Sequence, residues 1–325
     1  MITVQKPGLL TTVMDLGRPG FQRLGIVVGG ALDRFSARIA NTLVGNDENA
    51  ALLEIAQRGP ELHFAVETLV AWCGGDFEPR VGTEPLPRDR AVRIGAGETI
   101  RFGAARAGLR AWLAIAGGID VPLVLGSRST YRRAGMGGLG GRPLRIGDEL
   151  KLGAASEWAK QRLKSPQRVS MWSVRPETLG KQAAPETVRA MPGPEWDWFS
   201  RDAQRDFFLT KWKVTKDADR MGVQLAGPEL KLAAEREMLS EGVSEGVVQV
   251  ANGGLPIVLL ASRQTVGGYP RIAALASVDF GRMAQMVPGQ SLRFEPLTLG
   301  DAHTLFLSRE RDLSRVRAGL ARLAG

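Results

Sequence analysis

Two arginines, Arg128 and Arg263, end stretches that repeat one another. Residues 117–130 read Gly-Gly-Ile-Asp-Val-Pro-Leu-Val-Leu-Gly-Ser-Arg-Ser-Thr, and residues 253–265 read Gly-Gly-Leu-Pro-Ile-Val-Leu-Leu-Ala-Ser-Arg-Gln-Thr. Each runs from paired glycines through a proline and an apolar run, expected to be a buried strand, to Ser-Arg-x-Thr. A guanidinium can grip a carboxylate or phosphate with two parallel bonds. An arginine at a strand end is therefore suited to hold an anionic or polarised group. The second stretch is the richer one. Gly253-Gly254 and Gly267-Gly268-Tyr269-Pro270 bracket its strand, and glycine lets backbone come close to a ligand. Arg263, Gln264, Thr265 and Tyr269 add donors and acceptors beside that bare backbone.

Other chemistries find less support. Gly135-Met136-Gly137-Gly138-Leu139-Gly140 fits G-x-G-x-x-G, but a dinucleotide fingerprint follows a strand and opens a helix. Here Arg142-Pro143 and a strand-like run come next, so a glycine loop is expected. No G-x-x-x-x-G-K-[ST] phosphate loop is present. His63 and His303 are the only histidines and Cys73 the only cysteine. A zinc centre needs three or four such ligands, so no metal site is expected. Cys73 ends an apolar run and reads as a small buried hydrophobe.

The elements that would position these residues are short. Residues 92–102, 144–152 and 286–294 each read as strand, glycine turn, strand, the hairpin signal. Residues 112–116, 247–251 and 257–260 read as single strands. Helices are few. Asp33 is placed as the N-cap of a helix with Phe35, Ile39 and Leu43 on one face and Asn41 nearly opposite, stopped at Gly45-Asn46. Further helices are expected over 195–208 and 279–286. Leu313, Val316, Leu320 and Leu323 recur at helical spacing among the C-terminal arginines. The duplicated stretch implies two domains, 1–160 and 161–325, with a linker near 155–167. The prolines of the next stretch include Pro166, Pro176 and Pro185.

Composition excludes several classes. The chain has 325 residues, 44% of them hydrophobic and 24% charged, with a net charge of +9. No apolar run approaches the ~20 residues of a membrane helix, and no secretory leader is visible at the N-terminus. The basic residues are scattered and lack aromatic or motif support for nucleic-acid binding. A cytoplasmic protein that binds neither membrane nor nucleic acid is expected.

Several runs in order resemble a known family. They are Asp15-Leu16-Gly17-Arg18-Pro19-Gly20, Gly30-Ala31-Leu32-Asp33, Ala40-Asn41-Thr42-Leu43-Val44-Gly45-Asn46, Ala116-Gly117-Gly118-Ile119-Asp120-Val121-Pro122, Gly137-Gly138-Leu139, Pro192-Gly193-Pro194-Glu195, Asp219-Arg220-Met221-Gly222 and the run 264–273 beginning Gln264-Thr265-Val266. The chain resembles the family of the 5-oxoprolinase C component, also called allophanate hydrolase subunit 2, biotin-dependent carboxyltransferase-like or KipI antagonist. The resemblance implies a mainly β fold of two tandem cyclophilin-like β-barrels with a few helices. It implies a B-like partner (KipI-like, the 5-oxoprolinase B component), a possible third, A-type component, and ATP-dependent opening of 5-oxoproline or a related small amide. Alternatives within the family are a carboxyltransferase component acting on urea-like substrates and a non-enzymatic regulatory partner.

Phosphorylating a lactam oxygen makes it a leaving group and exposes a carbon that water can attack. Such a site needs cationic and amide donors, for which the resemblance offers Arg263, Arg220 and Arg128. It also needs a carboxylate for the nucleophile, for which Asp33 and Asp279 are the candidates, though either can instead cap a helix. Asn41, Gln264, Thr265 and Tyr269 complete the expected binding set. Part of that cleft, near Asn41 and Arg220, is expected to be buried by the partner. The chain departs from the family at Gly253, where Asp or Asn is usual, at Ser262, where Asp is usual, and at Val266, where a second Thr is usual.

Overall fold

The computed structural model describes residues 1–174 and 187–322. Pro176, Pro185 and Leu323 lie outside the described residues. The chain divides into two units that no single cut separates. The first comprises Met1–Arg18, Asp33–Ala183 and Glu310–Gly325; the second comprises Pro19–Leu32 and Ala184–Arg309. The expected boundary at 160/161 therefore falls inside the first unit, within a helix. Short strands dominate both units, as the turn-rich sequence predicts.

In the first unit the strands are β1 (Ile2–Lys6), β2 (Leu10–Met14), β3 (Leu52–Ala56), β4 (Glu61–Phe64), β5 (Thr68–Asp76), β6 (Arg80–Val81), β7 (Glu84–Pro85), β8 (Val92–Ile94), β9 (Thr99–Arg101), β10 (Ala107–Ile115) and β11 (Glu149–Leu150). They form two sheets, in the orders β11-β1-β4-β9-β6-β7 and β2-β3-β10-β5-β8. Residues of both sheets, including Ile2, Val4, Phe64, Leu53 and Leu113, meet in one shared core. Helix α1 (Arg34–Leu43) packs on β5 and β10. Asp33 caps it, accepting from the Ser36 amide at 3.0 Å and the Ser36 hydroxyl at 2.6 Å. Helix α2 (Glu157–Leu163) is capped by Ser156. Residues 310–322, the last part of a terminal helix, are held to α1 by Arg38, which bonds Glu310 with Nη1 at 2.5 Å and Nη2 at 2.8 Å.

None of the three expected hairpins forms. Residues 95–98 do turn, with the Glu98 amide donating to Gly95 O at 3.2 Å. However, β8 pairs with β5 and β9 with β4, so the turn is a corner between sheets. In 144–152 only β11 is a strand, and Leu144 instead donates to Thr11 O. The turn near Gly289 joins a helix to a strand.

The second unit contains β12 (Thr187–Pro192), β13 (Trp212–Ala218), β14 (Gly222–Ala226), β15 (Glu241–Gly242), β16 (Val247–Val250), β17 (Pro256–Leu259), β18 (Val266–Gly267), β19 (Arg271–Leu275) and β20 (Ser291–Pro296). Seven of them close a barrel, β12-β19-β16-β17-β14-β13-β20. Closure comes from a parallel pairing of β12 with β20; every other pair in the barrel is antiparallel. The helix expected over 195–208 is split. A single 3₁₀ turn spans Trp196–Trp198, Phe199 is extended, and α3 (Arg201–Leu209) starts afresh at a Ser200 cap. Phe207 of α3 stacks on Phe294 with ring centres 4.4 Å apart. Helix α4 (Phe280–Ala284) and the terminal helix α5 (Leu299–Arg322) follow β19 and β20 respectively.

The repeated stretches do not occupy equivalent places. In the second, the paired glycines lead into β17, buried as expected. In the first, residues 119–125 form no strand, and Leu123 and Leu125 are 58% and 36% exposed. Without a neighbouring strand the apolar run has no ladder to join.

Candidate functional site

The residue that organises the second stretch is Gln249, in the middle of β16 and 1% exposed. The ladder between β16 and β19 shifts register between Val248 and Gln249. A bulge re-aims the side chain that follows it. The Gln249 Oε1 accepts from Gln264 Nε2 at 3.2 Å, and its Nε2 donates to Tyr269 O at 3.1 Å. One buried amide thus joins the loop after β17 to the loop before β19. Gly267 leaves room for it, because a Cβ there would stand 2.6 Å from Gln249 Nε2 and push the amide aside.

The same loops are braced from behind. Arg263, 5% exposed, donates from Nε to Val243 O at 3.1 Å, and the Val243 amide donates to Thr265 O at 3.1 Å. Arg271, directly after Tyr269-Pro270, donates to Glu195 from its amide, Nε and Nη2 at 3.0, 2.7 and 2.6 Å. Burial alone would raise the Glu195 carboxyl. The Arg271 bonds outweigh it and hold the group below the usual range, while Glu195 raises Arg271. This pair explains the Pro192-Gly193-Pro194-Glu195 run, in which a Cβ on Gly193 would strike Arg271 O.

In front of these loops lies a cleft of about 1120 Å³. Its walls are the turn 251–254, the loop 268–270 and the segment 229–238. Gly253 and Gly254 line it, as does Tyr269, which is 40% exposed. A Cβ added to Gly253 would meet nothing within 4 Å. Lys231 and Arg236 supply cations, and Glu229, Glu235 and Glu237 supply carboxylates. Arg236 is steadied over the Trp198 ring, 5.1 Å from its centre. The cleft combines exposed backbone, both signs of charge and one phenol. It can seat a small polar molecule and stabilise charge developing on it.

The other expected site residues lie elsewhere. Arg220 is in the turn between β13 and β14, where Asp219 Oδ1 accepts from the Met221 amide at 2.6 Å. Arg220 Nη2 donates to Gly30 O, and its carbonyl accepts from the Ser262 amide. Ser262 and Gly253 thus stand at opposite ends of β17, not in one loop. Asp279 is wholly buried and accepts from the amide, Nε and Nη2 of Arg189, with Arg282 also at 3.3 Å. In the first unit, Asp33 is the cap described above. Asn41 donates to Ala50 O at 2.8 Å and accepts from Asn46 Nδ2 at 3.1 Å. Arg128 donates from its amide to Asp15 and from Nε to Val121 O. The structure therefore ties Gln264 and Tyr269 to one buried amide, places Tyr269 at the cleft, braces these loops with Arg263 and Thr265, and gives the two aspartates structural bonds.

Gln249, Glu195 and the segment 229–238 are absent from the sequence reading of the site. Gln249 had a legible signal, a lone polar residue inside Val-Val-Gln-Val. The segment 229–238 carries no motif. Among the described residues no three His, Cys, Asp or Glu side chains converge as a metal site would require, and no helix is long and apolar enough to cross a membrane.

Comparison with known proteins gives a consistent result. The family model for the carboxyltransferase domain, subdomains A and B, matches residues 24–296. The chain is 39% identical over 302 residues to the 5-oxoprolinase C component of Escherichia coli K12, covering 93% of each. It is 32% identical to urea amidolyase of Lachancea kluyveri, over 97% of this chain but 18% of that longer one. The solved urea amidolyase of K. lactis matches with a TM-score of 0.88 at 30% identity, over 97% of this chain and 20% of that one.

Proposed function

Since the chain belongs to the carboxyltransferase-domain family of subdomains A and B and is homologous along its length to the C component of 5-oxoprolinase, we propose that it is one member of a multi-protein, ATP-dependent enzyme that opens 5-oxoproline or a related small amide. The observation that carries this reading is the end-to-end similarity, 93% of both chains at 39% identity. The cleft of the second unit supplies a place for the amide. In this reading the 251–254 turn and Tyr269 hold the substrate, Lys231 and Arg236 stabilise charge on its oxygen, and a glutamate of 229–238 positions water. Gln249 sets the two loops and touches no substrate. Arg263 and Thr265 brace them.

ATP enters as a co-substrate. The chain has no G-x-x-x-x-G-K-[ST] run, which favours another member of the complex, a B-like (KipI-like) protein or an A-type component, as its holder. The carboxyltransferase reading has its own support in the urea amidolyase match at TM-score 0.88. It predicts carboxyl transfer to a urea-like acceptor in place of lactam opening.

Co-expression with a B-like protein, with and without an A-type component, separates these readings. Purified complexes are assayed for ATP hydrolysis driven by 5-oxoproline or by urea and, separately, for transfer of the carboxyl group of carboxybiotin to urea, which itself consumes no ATP. 5-Oxoproline-dependent ATP hydrolysis by the complex, weakened by Tyr269→Ala, supports the first reading. A response to urea with carboxybiotin alone replaces it with the second. Full lactam turnover by the isolated chain, or no complex at all, refutes the proposed place in a multi-protein enzyme.

A further inference from the structure

Arg18 is 1% exposed and among the largest fully buried side chains of the protein. It sits where three runs singled out in the sequence meet: Asp15 to Gly20, the Ser127-Arg128-Ser129 turn, and the glycine loop 135–141. Asp15 is the carboxylate that acts on it, but its oxygens are already taken. Oδ1 accepts from the Gly17 amide at 2.8 Å, Ser127 Oγ at 2.7 Å and Ser129 Oγ at 2.6 Å, and Oδ2 accepts from the Arg128 amide at 2.5 Å. Arg18 itself donates from Nη2 to Ser129 O and from Nε, over a long 3.4 Å, to Val124 O. Its Nη1 is buried and finds no hydrogen-bond partner.

That arrangement is costly as it stands. A buried cation needs its charge balanced and its N–H groups bonded. Nη1 carries two N–H groups, and Nη2 has one beyond the bond to Ser129 O. The unused edge of the guanidinium is therefore the end-on edge, shaped for two oxygens of one planar group. We propose that Arg18 is the anchor of a small-oxyanion site, taking the carboxylate group of bicarbonate or of a small organic acid on its Nη1–Nη2 edge.

The surroundings narrow the ligand. With Asp15 acting on it, the Arg18 charge is partly offset, which suits a monoanion better than a dianionic phosphate. Space is tight as well: a Cβ on Gly137 would lie 2.9 Å from Nη2, and one on Gly138 would strike Thr130 Oγ1. Gly137 beside Nη2 belongs to the glycine loop, in which Gly135, Gly137, Gly138, Gly140 and Gly141 all have positive φ. Such backbone can move to admit a ligand without side-chain strain. Burial also draws the Arg18 guanidinium below its ordinary value, with Asp15 and then Tyr131 opposing. An entering anion would reverse that pull. The site is independent of the cleft in the second unit and goes beyond the proposed reaction.

The test is thermal unfolding of the whole chain in formate, bicarbonate, 5-oxoproline, or chloride at matched ionic strength. At a hundredfold excess over Kd, a specific ligand raises Tm by several degrees. The wild type is expected to respond to formate or bicarbonate beyond chloride, and Arg18→Met to lose that response. A response to 5-oxoproline alone, also lost in Arg18→Met, assigns the site to the carboxylate of an organic acid rather than to a free anion. Equal responses in wild type and Arg18→Met, or none beyond chloride in the wild type, overturn the proposal. Should Arg18→Met fail to fold, wild-type crystals soaked in formate decide. Formate within hydrogen-bond reach of Nη1 supports the site, and its absence there refutes it.

Discussion

Glu195→Ala removes the acidic half of the ion pair that pins the Tyr269-Pro270 edge of the cleft. The pair is well enclosed, with the Arg271 and Glu195 side chains 13% and 9% exposed, and Arg271 places three donors on one carboxylate. Removing one partner of a buried pair costs about 3–5 kcal/mol. Arg271 keeps Glu241 at 2.9 Å, but that partner is 58% exposed, and exposed pairs contribute only about 0–1 kcal/mol. The expected loss is therefore about 2–4 kcal/mol. At roughly 2–4 °C per kcal/mol, Tm should fall by about 4–16 °C. The double change Glu195→Leu with Arg271→Met should recover most of the loss, since apolar replacements of a buried pair are often neutral. The pH dependence has a defined sign. Glu195 is held below the usual range, so its contribution is full above the ordinary carboxylate value of about 4.3 and disappears as pH falls through the lower folded value. Urea unfolding of wild type and Glu195→Ala should give a constant gap from neutral pH down to ~5 that narrows in acid. A gap under about 0.5 kcal/mol at neutral pH, the range of ordinary surface changes, or a gap that widens in acid, would refute this account.

Gly267→Ala should destabilise by about 1–3 kcal/mol because its Cβ meets the Gln249 amide, and it should disturb Gln264 and Tyr269 together; urea unfolding measures it, and a neutral effect would mean the amide bridge is loose. Gly253→Asn should leave stability within about 0.5 kcal/mol, because the position is open. On turnover by the assembled complex, Gly253→Asn and Ser262→Asp should act additively: β17, with four residues, separates them by roughly 13 Å, beyond the range at which changes usually couple. A rate for the double change far from the product of the single effects would place both at one site. Cys73 is wholly buried, and burial, followed by Asp89, pushes its thiol well up. It should react with a thiol reagent at pH 8 only as fast as the protein unfolds, and immediate labelling of the native chain would contradict the packing.

Local signals in the sequence survive folding where one element contains all the parts. The Asp33 cap and the Phe35, Ile39, Leu43 stripe lie within a few residues of one another, and α1 forms as read. The turns at 95–98 and near Gly289 are also real. What a turn does not specify is the sheet that each flanking strand joins, and so the expected hairpins dissolve into a corner and a helix–strand link. The internal repeat misleads for a similar reason. Its apolar run becomes β17 where β14 and β16 stand on either side, and an exposed loop where no strand is available. At the candidate site, the glycines and Tyr269 were legible because they share one run with Gln264. The 229–238 wall was not, because it reaches the cleft by chain path alone. Arg263, Asp33 and Asp279 have the residue types of a reaction centre, but their bonds to Val243, Ser36 and Arg189 are framework bonds that only coordinates reveal.

The two units borrow chain from each other, and this bears on how the protein can be made and shuffled. Pro19–Leu32 belongs to the second unit, where the Gly29 amide bonds Ala261 O and Gly30 O receives Arg220. On the ribosome this strap emerges early and must wait for partners made roughly two hundred residues later. The first unit in turn lacks Glu310, the partner of Arg38, until 272 further residues have been made. Folding in N-terminal-first order, the usual course for multidomain chains, can complete neither unit ahead of the other. A gene cut after residue 183 would yield two fragments that each miss a piece of their own packing. The protein should therefore be inherited, expressed and recombined as one indivisible cassette, despite having two cores.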